Sequence, residues 1–332
     1  MEYKQLPYVN KPVSSIVFGT ATKILFDAIE EDQPDIAERK QKAYTLLDTV
    51  FEAGINCFDC ADHYGEEILG EWISLRQVRD RVVILSKCAH PNKWRERVTD
   101  FDILYDIHNA LAKLKTDYID IYMLHRDDRK VPVKIIVDTL NRLHNEGKIG
   151  AFGGSNWSVE RIEEANRYAM ENGLIPLTVS SPNFGLAEQV NNPWVGNCVT
   201  ISGPQNEYAR QWYVNNNIPV FAYSSLARGF FSGAFRSDEP EKAKEILDEA
   251  GVRGYFCDAN FERLRRAEIL SAKKNAGIAQ IALAWIFNQP VNTFILTSPV
   301  NEKQIRENVA AADIKLTPNE VAWLDLQTDE LI

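Results

Sequence analysis

The chain has 332 residues, 45% of them hydrophobic and 25% charged, a composition typical of a soluble globular protein with a substantial core. Its net charge of −10 argues against a broad nucleic-acid surface, which needs clustered lysine and arginine to neutralise phosphates. No apolar run approaches the ~18 residues of a membrane span, and the first residues lack a secretory signal pattern, so we expect a cytoplasmic protein without a membrane segment.

Eight short apolar runs recur along the chain, separated by stretches with helical periodicity. In order, the runs are SIVFG (15–19), INCFD (55–59), VVILSK (82–87), IDIYML (119–124), IGAFGGS (149–155), LTVSS (177–181), IPVFAY (218–223) and TFILTS (293–298). Apolar residues occupy both alternating faces of these runs, which is the pattern of parallel strands covered on each side.

Helices between the runs are indicated by apolar residues at a spacing of three to four. The clearest stretches are 37–54, 102–117, 131–148 and 158–173, and Ser158 is a candidate N-cap of the last one. Eight alternations of strand and helix predict an α/β fold with a closed (β/α)8 barrel, the TIM-barrel architecture, as a single domain over residues 1–332.

The alternative fold is a doubly wound parallel sheet with a dinucleotide-binding turn after its first strand. The turn after the first run reads GTAT and lacks the G-x-G-x-x-G pattern, which argues against this alternative. Two stretches, 182–206 and 227–258, are longer than ordinary strand–helix loops. In a barrel they would lie at the carboxyl ends of strands, where binding sites are built.

Polar residues close or directly follow most of the apolar runs. They are Asp59, Lys87, His125, Ser155, Asn156, Ser181 and Tyr223. Because the carboxyl ends of barrel strands form one ring, residues far apart in sequence would share a pocket. An acid such as Asp59 is costly at the end of an apolar strand unless it is paired, and Lys87 on the next strand supplies a cation.

Tyr64 lies on the turn after Asp59 and can fold back over the Asp59–Lys87 pair. We expect the Lys87 ammonium to favour the phenolate, and so to lower the pKa of Tyr64 from about 10 toward the range of an acid catalyst. Taken singly, these residues and His125 have structural interpretations as an ion pair, a helix-entry aromatic and a core imidazole. Their joint placement at the ends of three consecutive strands favours the chemical interpretation.

Several segments resemble the signature segments of the aldo-keto reductases, in order and in spacing. They are GINCFDCADHYGEEILGEWI, ILSKCA, IDIYMLHRDD, GGSNWS, VFAYSSLARGFFSG and QIRENVAA. The resemblance covers nearly the whole chain and implies a (β/α)8 barrel that binds a nicotinamide cofactor, NADPH or NADH, without a Rossmann fold. It also implies a catalytic tetrad of Asp59, Tyr64, Lys87 and His125.

By this resemblance, Tyr64 protonates a carbonyl oxygen during reduction and acts as the base during alcohol oxidation. Asp59 and Lys87 would tune the acidity of Tyr64. His125 would orient the carbonyl group and stabilise the negative charge that develops there. The implied function is an NAD(P)-dependent oxidoreductase that interconverts a small-molecule aldehyde, ketone or sugar with an alcohol. The alternative is a non-catalytic barrel that serves as a cofactor-binding sensor or regulatory subunit, and an intact tetrad favours the enzyme.

The resemblance further implies a set of cofactor contacts. They are Gly19, Thr20, Ser155, Asn156, Ser181, Tyr223, Ser224, Leu226, Arg228, Ser298, Gln304 and Asn308. In these roles Ser155 and Asn156 hold the nicotinamide carboxamide and Tyr223 stacks on the nicotinamide ring. The residues that follow Tyr223 cover the pyrophosphate, and those after the eighth strand meet the adenosine end.

Two places depart from the family pattern. Ser181 stands where the family often has a glutamine for the carboxamide. Ser298, Val300 and Asn301 stand where the family usually carries a lysine or arginine for the 2′-phosphate of NADPH. Because a phosphate with about two charges gains much from a bidentate arginine, we predict dual or NAD-leaning cofactor use.

The remaining aromatic and imidazole side chains yield two further predictions. Trp94 and Trp194 lie in predicted carboxyl-end loops and are candidate substrate contacts, since aromatic walls are common in such pockets. His63, beside Tyr64, is expected to be solvated. The other histidines outside the tetrad are scattered along the chain and predict no metal site: His90, His108 and His144.

Overall fold

The structure is a computed structural model, and it describes residues 1–30, 34–194 and 196–332. The strands are β1 (Tyr3–Lys4), β2 (Val13–Ser14), β3 (Ile16–Gly19), β4 (Cys57–Asp59), β5 (Val83–Cys88), β6 (Ile119–Leu124), β7 (Ile149–Ser155), β8 (Val179–Ser181), β9 (Val220–Ala222) and β10 (Thr293–Thr297). The helices are α1 (Lys23–Asp27), α2 (Ile36–Glu52), α3 (Glu66–Arg76), α4 (Asp100–Leu114), α5 (Val133–Asn145), α6 (Val159–Glu171), α7 (Glu207–Asn216), α8 (Pro240–Ile246), α9 (Glu249–Tyr255), α10 (Asp258–Lys274), α11 (Ile278–Phe287), α12 (Glu302–Ala310) and α13 (Pro318–Leu324).

The strands β3 to β10 form a closed barrel, in the hydrogen-bonded order β10-β3-β4-β5-β6-β7-β8-β9. Each of the eight predicted apolar runs overlaps one of these strands, and only β5 extends past its run, by one residue to Cys88, so the (β/α)8 prediction is confirmed and the doubly wound alternative is wrong. The antiparallel pair β1–β2 was not predicted, because two residues a strand are too few to show a periodic pattern.

Contacts between Cα atoms divide the chain into two compact units. The first comprises Met1–Ser181 and Ser298–Ile305, and the second comprises Pro182–Thr297 and Arg306–Ile332. Strands β1 to β8 belong to the first unit, and β9 and β10 belong to the second. That one domain spans residues 1–332 stays a prediction.

In the first unit, the strand register determines which side chains meet at the carboxyl ends. Gly19 of β3 lies opposite Asp59 of β4, and Asp59 lies opposite Leu85 of β5. Because side chains on a strand alternate between its two faces, Lys87 projects to the same face as Leu85, two residues nearer the carboxyl end. The register therefore places Lys87 diagonally beside Asp59.

The predicted helices form where the apolar spacing indicates them, and they end two or three residues earlier than expected. The stretch 158–173 contains α6, whereas α2 begins one residue before the stretch 37–54 and α4 begins two residues before the stretch 102–117. Ser158 is the N-cap of α6, since its hydroxyl accepts a hydrogen bond from the Arg161 N–H at 3.3 Å. In the second unit, the long stretch 227–258 contains two short helices, α8 and α9.

A buried acid near the start of β6 holds the amino-terminal side of the strands together. Asp120 is paired with Lys11 at 2.7 Å and with Arg79 at 2.9 Å. It also accepts the backbone N–H of Ile84 at 2.9 Å, so both carboxylate oxygens have partners. Such pairing is what allows a charged carboxylate to remain buried.

Among the residues that the structure describes, no helix combines the length and the apolar character that crossing a bilayer requires.

Glu66, the first residue of α3, is a buried acid with incomplete pairing. Its Oε1 accepts a hydrogen bond from the Ser86 hydroxyl at 2.6 Å, whereas Oε2 is buried without a hydrogen-bond partner among the described residues. Burial therefore raises the pKa of Glu66 from its usual 4.5 to about 7. A carboxyl group whose pKa is higher in the folded chain stabilises the fold below pH 4.5, and this contribution is lost as the pH rises through about 7.

We therefore expect Glu66→Gln, which removes the ionisable proton, to be more stable than the parent chain at pH 8 by about 3 kcal/mol, at ~1.36 kcal/mol per pKa unit. At pH 5 the two chains should be close in stability. Urea unfolding followed by tryptophan fluorescence at both pH values measures the difference. Glu67→Gln, an exposed neighbour on the same helical turn, is the control and should show no gain between pH 5 and pH 8. A parent chain at least as stable as Glu66→Gln at pH 8 would contradict the expectation.

Candidate active site

A buried ion pair lies at the carboxyl ends of β4 and β5. The Lys87 ammonium contacts Asp59 Oδ1, and both residues are only 5% exposed. Lys87 Nζ also approaches the Cys60 carbonyl oxygen at 3.4 Å. Burial raises the pKa of Asp59, and the Lys87 charge opposes that rise. The pair thus satisfies two charges that would be costly to bury alone.

Tyr64 is half-buried and lies against this ion pair. Lys87 Nζ donates a hydrogen bond to Tyr64 Oη at 2.7 Å, and Tyr64 Oη donates to Asp59 Oδ2 at 3.4 Å. The turn that carries Tyr64 is closed by a reciprocal pair of backbone hydrogen bonds with Ala61, at 2.9 and 3.0 Å. The phenol therefore folds back over the ion pair, held by the turn and by Lys87.

The pKa of Tyr64 moves in the direction opposite to the expectation from sequence. Burial raises it well above its usual 10, and the negative charge of Asp59 adds to the rise. The expectation that Lys87 lowers the pKa of Tyr64 is therefore wrong, because Asp59 already balances the Lys87 charge. Tyr64 consequently stays protonated over the whole physiological pH range and has a proton to donate.

His125 directly follows β6 and completes the group predicted as a tetrad. Its backbone N–H donates to the Cys88 carbonyl at 2.7 Å, and its ring centroid lies 6.3 Å from that of Tyr64. Burial, with the nearby charges of Lys87 and Arg126, lowers the pKa of His125 well below 6.5. The imidazole is therefore neutral at pH 7, with one N–H donor and one acceptor nitrogen.

The ends of β7 and β8 present a second set of buried polar groups. The Ser155 hydroxyl donates to the Ser181 carbonyl at 3.0 Å, and the Asn156 amide donates to Ser155 Oγ at 3.1 Å and to the His125 carbonyl at 3.2 Å. Asn156 has a φ of 60°, in the left-handed region that asparagine tolerates better than most residues. Its side chain is thereby aimed along the strand ends toward His125.

Close packing at the end of β3 supports the tyrosine turn. The Thr20 hydroxyl donates to the Asp59 carbonyl at 2.8 Å. Gly65, which follows Tyr64, has a φ of 76°, and a Cβ added there would lie 1.8 Å from Thr20 Oγ1. Gly65 is therefore required both by its backbone conformation and by the contact with Thr20.

In the second unit, the residues after β9 form a tight loop. Ser224, Ala227 and Arg228 all have positive φ values, which are uncommon for residues other than glycine and cluster at functional loops. The Arg228 guanidinium pairs with Asp248 and lies 5.0 Å from the ring centroid of Trp194.

Two aromatic rings lie beside this loop within the same unit. The ring of Trp194 is 5.9 Å from that of Tyr223. The Tyr223 backbone N–H donates to the Pro182 carbonyl at 3.3 Å, while Leu226 is half-buried and its carbonyl accepts from the Phe231 N–H. These contacts surround Tyr223, which is predicted to stack on the nicotinamide, and the loop residues that are predicted to cover the pyrophosphate.

The segment after β10 carries small uncharged side chains. Ser298 and Val300 are exposed, and Asn301 accepts the Gln304 backbone N–H at 3.0 Å, as a cap of α12 does. The Gln304 side chain in turn accepts a hydrogen bond from the Val300 backbone N–H at 2.9 Å. Asn308, further along α12, is buried.

Trp94 lies apart from the buried groups just described. It is 78% exposed, and its ring is covered on one side by the Lys93 ammonium at 4.5 Å. Its predicted role as a substrate contact, like that of Trp194, stays a prediction.

The structure corrects the sequence interpretation of the histidines. His63 is exposed as expected, yet its ring nitrogen and those of His90 and His125 lie within 4.8 Å of one another. Loss of surrounding water lowers the pKa of His63 to about 4, although the residue keeps an exposed edge, and burial also lowers the pKa of His90. A sequence signal for this cluster existed, because each of the three follows the carboxyl end of a successive strand.

The fold and the polar groups at its strand ends define a (β/α)8-barrel enzyme. The chain belongs to the aldo/keto reductase family, whose model matches residues 35–326, and it is an oxidoreductase of the aldo-keto reductase type. Members of this family are in general NAD(P)-dependent carbonyl reductases.

Individual relatives agree with this membership. The chain is 27% identical over 302 residues to the aldo-keto reductase str7 of Strobilurus tenacellus, covering 86% of this chain and 81% of that protein. It is 25% identical over 335 residues to a probable voltage-gated potassium channel subunit beta of Oryza sativa subsp. japonica, covering 97% and 94%. The crystal structure of a thermostable aldo-keto reductase, Tm1743, superposes with a TM-score of 0.71 at 22% identity, covering 99% of this chain and all of that one.

The contact of Gly65 with Thr20 leads to a stability prediction. We expect Gly65→Ala to lose about 2–5 kcal/mol, because it combines an unfavourable positive φ with overpacking against the threonine. Gly147→Ala is the matched control, since Gly147 has a φ of 72° but nothing within 4 Å of an added Cβ. It should lose only about 1 kcal/mol. Equal losses for the two variants in urea unfolding would mean that the contact with Thr20 contributes nothing.

Proposed function

We propose that this protein interconverts a small-molecule carbonyl compound, an aldehyde, ketone or sugar, with the corresponding alcohol, with Tyr64 as the general acid and base. The observation that carries the proposal is the 2.7 Å hydrogen bond from Lys87 Nζ to Tyr64 Oη above the buried Asp59. A phenol held in this way has one oxygen, one transferable proton and a fixed cation beside it, which is what a general acid requires.

Proton transfer from Tyr64 is favoured only when negative charge develops on the substrate oxygen. In the resting site the half-buried Tyr64 phenol keeps its proton, since its pKa is raised. As a carbonyl oxygen becomes alkoxide-like, the phenol donates to it, and the phenolate left behind remains hydrogen-bonded to Lys87. Asp59 fixes the Lys87 ammonium in place, so no reorganisation is required at the moment of transfer. In the oxidative direction the same phenolate accepts the alcohol proton.

His125 is proposed to orient the carbonyl group. Its neutral imidazole offers one N–H, which can donate to the substrate oxygen without adding a charge that would hold the phenolate too strongly. We expect His125 to affect substrate orientation and transition-state stabilisation, whereas Tyr64 exchanges the proton.

The donor groups at the ends of β7 and β8 fit a nicotinamide carboxamide. Such a group needs both a donor and an acceptor, and Ser155, Asn156 and Ser181 supply hydroxyl and amide groups that are buried there. Bound NADH or NADPH would supply the hydride for carbonyl reduction. We propose that these residues orient the ring and exclude water from it. Tyr223 and the loop up to Arg228 are proposed as cofactor contacts on the family resemblance alone.

A regulatory subunit is the second candidate function, favoured by the likeness to a channel beta subunit in rice. A subunit that only senses the cofactor has no use for a phenol hydrogen-bonded to a buried ammonium. The complete group of Asp59, Tyr64, Lys87 and His125 therefore supports the enzyme.

Removal of one hydroxyl tests the mechanism. We expect Tyr64→Phe to lower turnover of 4-nitrobenzaldehyde with NADH or NADPH by about 10²- to 10⁴-fold, the usual contribution of a general acid, while cofactor binding is retained. Tyr122→Phe is the matched control, because Tyr122 is a fully buried tyrosine in β6 that lies outside the proposed group. It should keep the parent turnover. Unchanged turnover in Tyr64→Phe would refute the role of Tyr64, and a parent chain that binds cofactor but reduces no aldehyde would favour the subunit.

Cofactor preference is proposed to be dual or to lean toward NADH. The chain from residue 298 to 301 reads Ser-Pro-Val-Asn, and Asn301 is engaged as a helix cap. None of these side chains can pair with a 2′-phosphate by charge. The nearest cations along the chain, Lys303 and Arg306, are exposed on α12.

Fluorescence titration with each cofactor, using the seven tryptophans as donors, measures the preference. We expect the dissociation constants for NADH and NADPH to differ by less than tenfold, which is ~1.4 kcal/mol. Val300→Arg, at an exposed position whose side chain caps nothing, should shift the ratio toward NADPH by about tenfold through a charge-assisted pair with the phosphate. The proposal fails if NADPH binds the parent chain at least tenfold more tightly than NADH.

A further inference from the structure

Three of the five histidines in the chain are gathered in one cluster of the first unit. The ring centroids of His63 and His90 are 4.1 Å apart, those of His90 and His125 are 4.8 Å apart, and those of His63 and His125 are 5.3 Å apart. One ring nitrogen from each residue lies within 4.8 Å of the other two. The aldehyde chemistry proposed above uses only His125 and leaves the other two without a role.

Each ring has a nitrogen suited to coordination. His90 Nδ1 lies 2.9 Å from the Pro91 carbonyl, and since a carbonyl can only accept, this nitrogen carries the proton and Nε2 keeps its lone pair. His125 Nδ1 is buried without a hydrogen-bond partner among the described residues. His63 is exposed, and its ring also contacts the Tyr64 ring, with the centroids 4.9 Å apart.

The strand ends restrict where two of these rings can go. His125 directly follows β6, and His90 comes two residues after β5, whereas His63 lies on the turn between β4 and α3. The first two backbones are therefore attached to neighbouring barrel strands, and the third belongs to the turn that the Ala61–Tyr64 hydrogen bonds close.

We propose that His63, His90 and His125 form a binding site for a divalent late transition-metal ion of the zinc type, with three imidazole ligands and a water molecule. Imidazole nitrogen suits Zn²⁺, Ni²⁺ and Cu²⁺, whereas Mg²⁺ and Ca²⁺ require oxygen ligands. Zn–N bonds of about 2.0–2.1 Å in a tetrahedron separate the nitrogens by roughly 3.3 Å. The ligating nitrogens, which lie within 4.8 Å of one another, must therefore approach by up to about 1.5 Å.

Neighbouring charges set the strength of the site. The cations Lys87 and Arg126 act on these rings and oppose a bound metal ion, while the Asp62 carboxylate favours it. Asp62 is itself bonded to Lys113 at 2.8 Å, so its contribution is partly neutralised. We expect affinity in the micromolar range, weaker than that of a structural zinc site.

Metal binding would have a consequence for turnover, and this consequence rests on the proposed function. A coordinated His125 cannot donate its hydrogen bond to a substrate carbonyl from the same nitrogen or in the same orientation. The metal would thus compete with substrate orientation and inhibit reduction.

The binding test uses tag-free protein, Zn²⁺ by isothermal titration calorimetry, and Co²⁺ as a spectroscopic probe whose visible d–d bands report tetrahedral nitrogen coordination. We expect one Zn²⁺ per chain, and at least tenfold weaker binding in His63→Ala and in His90→Ala. His108→Ala, an exposed histidine outside the cluster, is the control and should bind as the parent does. Circular dichroism verifies the fold, and His90→Gln replaces His90→Ala if the latter unfolds.

Unchanged affinity in both cluster variants, or no Zn²⁺ binding at millimolar concentration, would overturn the site. This readout needs no turnover, so it stands or falls separately from the proposed enzyme activity. If aldehyde reduction is observed, Zn²⁺ should inhibit the parent chain and should inhibit His63→Ala at least tenfold less potently. Binding that depends on His63 and His90 without any inhibition would retain those two ligands and reject His125 as the third.

Discussion

The buried ion pair of Lys87 with Asp59 is the interaction on which the rest of the site depends. Removing either partner would leave an uncompensated buried charge, at a cost of about 3–5 kcal/mol. The register of β4 and β5 places the two residues diagonally, and the Thr20 hydroxyl and the turn at Gly65 fill the space around them. The ammonium is thereby held against the Tyr64 phenol at a fixed position.

The same pair determines the electrostatic character of the site. Because Asp59 balances Lys87, burial dominates and the Tyr64 phenol keeps its proton, while His125 stays neutral. The site is thus close to uncharged in its resting state and stabilises charge only where a reaction creates it. Another buried acid, Asp120, is paired with two cations at the other end of the strands, and one of them, Lys11, donates a hydrogen bond to the hydroxyl of exposed Tyr118 at 3.3 Å.

Residues at or just after the ends of β4, β5 and β6 lie close together in the first unit, and His125 belongs to two groups as a result. One group contains the ion pair and Tyr64, and the other contains His63 and His90. A ligand that engages the imidazole from one group withdraws it from the other. This shared residue couples the proposed metal site to the proposed chemistry through a direct contact, with no long-range conformational change required.

The sequence by itself determined the eight barrel strands, the positions of Asp59, Lys87 and His125 at their ends, and the Ser158 cap, because alternation and capping are local patterns that a linear chain displays. Only the tertiary structure decided the rise in the Tyr64 pKa, the pairing of Arg228 with Asp248 and the gathering of the three histidines. These features depend on burial and on distances between segments remote in sequence. No local pattern reports how much water remains around a phenol, or that rings 27 and 35 positions apart along the chain lie within 5 Å of each other.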